Sequence, residues 1–335
     1  MIRLIYAFVL TLFLILIPLF GVGILGLTRF FSIVIPYSAF LIFLAGSILR
    51  VLSWVSSPQP FKIPLTAGQQ RSLQWIKSSY IESPYNKIGI FMRMLLEILF
   101  FRSLLKNEKT NPHVSKWLLF TSNKRFWLMS ILFHYSLLII VFRHLKLFFE
   151  PIPSIVNLLS RIDALFEISI PTILLTEIIV LVCIAYLLLR RIVVSQVRYI
   201  SLTSDYFVLF LLLSVVLTGI LLRHLFRVDI MDVKRFALGL FLFNPYIPHF
   251  VGSCFYVHLF LVSFLFAYFP FSKLVHAGGV FLSPTRNLEN NSRTIRYLNP
   301  WNYPVKTRTY DEWEDEFREM MKEANIPVEK EDRKI

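Results

Sequence analysis

The chain has 335 residues, 56% of them hydrophobic, with 33 phenylalanines and a mean hydropathy of +0.63, which excludes an ordinary water-soluble domain. Its formal charge of +14 does not call for nucleic acid, because lysines and arginines beside apolar spans face anionic headgroups and set orientation. The two cysteines, Cys183 and Cys254, both fall within apolar stretches, so a disulfide framework and a cysteine-based zinc site are excluded.

A hydrocarbon core of ~30 Å takes ~20 helical residues to cross. Six stretches qualify, 4–27, 30–49, 126–149, 168–189, 206–222 and 250–271, and the sequence predicts an all-α integral membrane protein with about six transmembrane helices. Arg3 ahead of the first run mimics a secretory signal. That run is too long for one, and no small-x-small cleavage site follows it, so a retained helix is expected.

Residues 1–54 form an N-terminal pair of spans, and 55–125 form a loop rich in proline and in basic residues from Lys62 to Arg125. The basic residues point to the cytoplasm. Arg190, Arg191 and Arg198 agree, Arg223, Arg227, Lys234 and Arg235 argue weakly against, and six spans then place both termini in the cytoplasm of a multi-pass cell-membrane protein. Within the loop, Gly89 to Lys106 carries Arg93, Glu97, Arg102 and Lys106 on an otherwise apolar helix. Such a helix lies in the membrane interface or packs on the bundle or a partner.

Residues 126–276 hold four spans, and 277–335 form a polar tail. In the tail, Trp313, Phe317 and Met320 or Met321 recur at helical spacing among acidic residues, so 311–324 is expected to form an amphipathic helix. Its apolar face either docks a partner or stays solvated.

Ionisable side chains inside spans are expensive and mark functional sites. His134 and His144 share the third span, and His258 and His276 the sixth. Paired histidines on two facing helices suit axial ligation of haem iron, and the absence of a CxxCH motif excludes covalent attachment. The third and sixth spans run antiparallel, so His134 meets His276 in the cytoplasmic half and His144 meets His258 in the opposite half. Ten residues separate the first two by ~15 Å, and eighteen the second two by ~27 Å, with Pro270 a natural kink to absorb the difference. A regular sixth helix would present both of its histidines on one face. Two haems stacked this way conduct electrons across the bilayer.

The segment RFWLMSILFHYSLLIIVFRHLKLFFEP resembles the haem-binding helix of the respiratory nitrate reductase gamma subunit family, and FYVHLFLVSFLFAYFPFSKLVH resembles that family's last helix. The closing segment NPWNYPVKTRTYDEWEDEFREMMKEANIPVE and the extra N-terminal helices resemble the DsrM/HmeC type, the cytochrome b of the DsrMKJOP and Hdr-like menaquinol-oxidising complexes. This resemblance implies two haem b groups, a menaquinone or menaquinol site near the outer haem, and electron exchange with a heterodisulfide-reductase-like iron-sulfur subunit of the DsrK/HmeD type in sulfur- or sulfite-linked respiration. Arg143 departs from the family, in which a small residue precedes the distal ligand.

Arg143, Lys146 and Arg161 are candidates for a haem propionate or quinone carbonyl, with headgroup anchoring as the alternative. Glu177 is a candidate for quinol protons, or else meets an arginine or is satisfied by Thr176 and Ser169. His113, His224 and His249 read as surface residues. A transporter leaves the histidine pairs unexplained and shows no inverted repeat. A pure anchor for soluble subunits would bind no quinone.

Overall fold

The computed structural model describes residues 2–57, 68–106, 108–111, 119–164, 173–248, 251–283, 285–295 and 307–329. Helix α1 (Ile2–Gly23) is followed by a π-helical turn (Phe30–Val34) that runs into α2 (Ile35–Val55). After a loop come α3 (Lys87–Phe100) and the single turn α4 (Arg102–Leu105), then strands β1 (Glu108–Asn111) and β2 (Leu119–Ser122), paired antiparallel with Glu108 opposite Ser122. Helices α5 (Lys124–His144), α6 (Ser154–Ala164), α7 (Leu175–Val193), the short α8 (Ser195–Ile200), α9 (Thr203–His224), α10 (Ile230–Phe241) and α11 (Ser253–Tyr268) follow. The short α12 (His276–Gly279) and the tail helix α13 (Tyr310–Glu323) complete the order.

Among the described residues, five helices are long and apolar enough to cross a membrane: α1, the Phe30–Val55 unit, α5 with its following turn, α9, and α11 with its following turn. The fourth expected span differs. Its described helix begins at Leu175 and runs on to Val193, carrying Glu177 in its first turn and Arg190 and Arg191 in its last. Those charges keep it out of the wholly apolar set, yet they oppose the helix macrodipole at each end, and α7 packs between α5 and α9.

Two apolar cores share α9. Phe133, Val180, Cys183, Ile184, Leu212 and Val216 join α5, α7 and α9, and a second cluster around Ala7, Phe31, Leu211, Phe236, Phe260 and Leu261 joins α1, α9, α10 and α11. Helix α2 packs on the outer side of α11.

The chain alternates direction through α5, α7, α9 and α11, so like ends meet. Arg3 donates to the Ser201 carbonyl, Arg191 and Lys273 flank Asp205, and Arg50 donates to the Pro270 carbonyl. One end of the bundle therefore gathers the N-terminus, the end of α2 and the turns after α11. Segment 68–86, α3 and segment 285–295 are tied together there. Asn290 N–H donates to the Pro84 carbonyl at 2.6 Å, Arg286 pairs with Glu97, and Gln70 donates to Ser292. Burial opposes the charge on Glu82, but Lys106 and Arg102 outweigh it and hold the carboxyl below its ordinary value.

Helix α3 docks on the bundle at its C-terminal end. Trp127 and Tyr135 of α5 donate to the carbonyls of Phe100 and Leu99, at 2.7 and 2.9 Å. Elsewhere Ile88 and Phe91 remain exposed, so α3 has both a packed end and a free apolar face.

The sixth span does not stay regular. Pro270 cannot donate to the helix ladder, and the chain leaves α11 through two 3-10 turns, Phe269–Phe271 and Lys273–Val275, before reaching His276. This broken stretch presses on Gly46 of α2, where a Cβ would lie 2.7 Å from Phe271 Cζ and 3.0 Å from Pro270 Cβ. Gly46→Leu is therefore expected to overpack the contact and cost about 1–3 kcal/mol, read as a lower Tm of the detergent-solubilised protein.

Candidate functional site

All four span histidines present the same ring nitrogen. On α5, His134 Nδ1 lies 2.7 Å from the Ser130 carbonyl and His144 Nδ1 lies 2.8 Å from the Ile140 carbonyl, each one turn back on its own helix. His276 Nδ1 lies 2.8 Å from the Lys273 carbonyl. A carbonyl only accepts, so each Nδ1 carries the proton and Nε2 keeps its lone pair.

His258 reaches the same state through a neighbour helix. Its Nδ1 is 2.9 Å from Thr218 Oγ1, and that hydroxyl is 2.8 Å from the Ser214 carbonyl and 3.0 Å from that of Val215. The single hydroxyl proton goes to the backbone, so Thr218 accepts from His258. Gly219 makes room beside the ring, since a Cβ there would stand 3.2 Å from His258 Cε1.

The structure brings His134 and His276 together and leaves His144 within electrostatic range of His258. His134 and His276 have ring centroids 6.0 Å apart at 84°, and His144 is the electrostatic neighbour of His258 at the other end. Two imidazoles on opposite sides of one metal, each bonded at about 2 Å, have centroids about 6 Å apart. The pair at 6.0 Å fits such a group. Helices α5 and α11 do not pack closely on each other; α7 and α9 bridge them, which leaves the histidine-bearing faces open toward one another. Among the described residues, no three or more His, Cys, Asp or Glu side chains are placed to hold a bare metal ion. An iron carried within an organic macrocycle needs only the two axial nitrogens.

His276 is positioned by its turn. Lys273 accepts from its ring, and the Lys273 ammonium pairs with Asp205 of α9 at 2.7 Å. Phe101 meets the His134 ring at 4.9 Å from a left-handed backbone position, φ 49°, which ends α3 and turns the chain.

At the His144 end lies a buried ionic cluster built from four helix termini. Arg143 of α5 pairs with Asp163 of α6 at 2.7 Å. Asp163 also accepts from the Thr176 hydroxyl at 2.6 Å and from the Thr176 N–H at 3.1 Å, capping the start of α7. Glu177 accepts from His224 Nε2 at 2.9 Å and from the Leu174 N–H at 3.3 Å, with Arg223 at 3.4 Å and Arg143 at 3.9 Å.

Among the residues expected at a site, Arg143 and Glu177 are thus brought together, with Lys146 beside Arg143 and Arg223. Arg161 is exposed on α6 and joins no ion pair among the described residues. Glu177 meets arginines and a histidine, while Thr176 serves Asp163 instead; Ser169, His113 and His249 lie outside the described residues. His224 is no surface residue, its side chain being 11% exposed against Glu177. Asp163, Thr218 and His224 escape a reading of spans, because two of them sit at helix ends and Thr218 is one hydroxyl in an apolar helix. The adjacent Thr218-Gly219 and Arg223-His224 were the available signals.

Residues 101–297 match the family described as nitrate reductase gamma subunit. The chain is 43% identical over 283 residues, 81% of its length and 83% of the relative's, to the Hdr-like menaquinol oxidoreductase cytochrome b-like subunit of Archaeoglobus fulgidus. It is 39% identical over 280 residues, 80% of its length and 81% of the relative's, to the protein of the same description from Archaeoglobus profundus.

Proposed function

This chain belongs to the family of Hdr-like menaquinol oxidoreductase cytochrome b-like subunits, and from that premise we propose that it is a di-haem cytochrome b exchanging electrons between menaquinol and a cytoplasmic iron-sulfur subunit. In coarser terms it is a membrane cytochrome b subunit of a menaquinol oxidoreductase. The observation that carries the finer reading is the set of two histidine couples on one bundle, in which every Nδ1 has a hydrogen-bond partner.

His134 and His276 hold one haem b, and His144 and His258 hold the other. Bound haem supplies one-electron carriers, and two of them divide the thickness of the bilayer. The protein's own contribution is orientation. Carbonyl and threonine acceptors fix each imidazole tautomer and raise its basicity toward the iron.

The end bearing His134 and His276 faces the cytoplasm, a reading supported by Arg3, Arg50, Lys124, Arg190 and Arg198. Both termini lie on that side. Segment 277–335, with Trp313 and Met320 exposed on α13, docks the heterodisulfide-reductase-like subunit of the DsrK/HmeD type, serving sulfur- or sulfite-linked respiration. The menaquinol site lies by the outer pair. Lys146 and Arg161 are cations placed there for a quinone carbonyl or a propionate, Arg143 being engaged with Asp163, and Glu177 takes part in proton handling through His224, which it holds at 2.9 Å.

The test is optical. The purified protein is expected to show b-type bands at two haems per chain and to be reduced by a menaquinol analogue; absence of haem refutes the cytochrome reading, and haem that the quinol leaves oxidised refutes the quinol site. Thr218→Val is expected to remove the hydroxyl acceptor from His258 Nδ1–H at a cost of about 0.5–1.5 kcal/mol. Its measurable sign is a raised reduction potential of one haem with the other unchanged, because the ligand becomes less basic.

A further inference from the structure

We propose that His224 is the base that receives the proton of a quinol hydroxyl at the His144 end, with Glu177 as its positioning residue, an inference that rests on the quinol reading above. The ring is set the opposite way from the four paired histidines. Its Nε2 lies 2.9 Å from Glu177 Oε2, and among the described residues nothing hydrogen-bonds to its Nδ1. A carboxylate only accepts, so Nε2 carries the proton and Nδ1 keeps the basic lone pair.

The surroundings do not need His224 for charge balance. Asp163 is matched by Arg143 and Glu177 by Arg223, with Lys146 as a further cation alongside. Glu177 is held in place by the Leu174 N–H and by Arg223, and its side chain is 9% exposed. A fixed, buried carboxylate behind an imidazole orients the ring and stabilises the imidazolium when the proton arrives. The location is also right. Arg143, adjacent to His144, reaches to 3.9 Å from Glu177, and His224 stands six residues, about 9 Å, along α9 from Thr218, the partner of His258.

Oxidising one quinol to quinone breaks two O–H bonds and releases two protons and two electrons. The ferric haems that the two histidine couples would hold would supply the oxidant, taking one electron each. The protons leave in turn through His224: Nδ1 takes one from the quinol oxygen, Nε2–H stays on Glu177, and the imidazolium gives its proton to water before the second follows.

The test uses the purified haem-loaded protein and 2,3-dimethyl-1,4-naphthoquinol as reductant. His224→Ala is expected to slow haem reduction by about 100-fold, with an unchanged KM, unchanged dithionite-reduced spectrum and haem potentials, and partial recovery on adding imidazole. His224→Gln keeps a donor for Glu177 without a base and is expected to be equally slow, and Glu177→Asp is expected to retain more activity than Glu177→Gln. Reduction at the wild-type rate in either His224 variant overturns the assignment, as does a slow His224→Ala whose spectrum or potentials have moved. A wild-type protein that the naphthoquinol fails to reduce refutes the quinol reading itself.

Discussion

Replacing His258 with alanine is expected to halve the haem b content while leaving the remaining haem spectroscopically intact. The two histidine couples share helices but not supports. His258 is set by Thr218 on α9 and lies within electrostatic range of His144, itself anchored to Ile140. His134 and His276 are set by Ser130, Phe101, the Lys273–Asp205 pair and the contact of Arg50 with the Pro270 carbonyl. Loss of one imidazole would leave that haem to be held by one histidine, while the other couple lies about 15 Å away along α5. Haem extracted per mole of purified protein is the direct measurement. Loss of both haems, or loss of the one with His134, would refute the pairing of His258 with His144.

The bundle was legible because a hydrocarbon solvent demands long apolar runs, and no soluble fold asks for six of them. The same logic exposed the histidines, since an imidazole within such a run stands out against leucine and phenylalanine. Less legible was anything at a helix end. Glu177 could be expected to meet an arginine, but which one was hidden, because Arg223 and His224 are 46 and 47 residues away in sequence and meet it only where α7 and α9 converge. His224 passed for a surface group for the same reason. The apolar pattern also carried no break between His258 and His276 except Pro270, which pointed to a kink there but not to its form. In the fold, the two 3-10 turns re-aim His276, and Gly46 and Arg50 of α2 receive the broken stretch. Helix α10 and the β1–β2 hairpin left no periodic signal long enough to stand out from loop.

Asp163→Ala is expected to destabilise the protein by about 3–5 kcal/mol, the largest stability effect of any single change at the His144 end. The carboxylate side chain is 2% exposed and its partner Arg143 16%, so removing the acid strands a guanidinium beside Arg223 and Lys146, with Glu177 at 3.9 Å as the remaining carboxylate paired with it among the described residues. It also strips two hydrogen bonds from Thr176 at the start of α7, where N–H groups lack partners within the helix and a negative charge is favoured. Asp163→Asn keeps an acceptor for Thr176 but loses the charge, and falls between the two. The mechanism is separable from simple loss of packing. In the double variant Asp163→Ala/Arg143→Leu the stranded charge is gone, and part of the stability is expected to return, because an apolar replacement of both partners costs less than breaking the pair. Thermal unfolding of the detergent-solubilised variants measures this as a Tm several degrees lower for Asp163→Ala than for the double variant. Equal Tm values would show that Arg143 finds solvent or another partner once Asp163 is removed, and that the ionic cluster contributes little to holding α6 against α7.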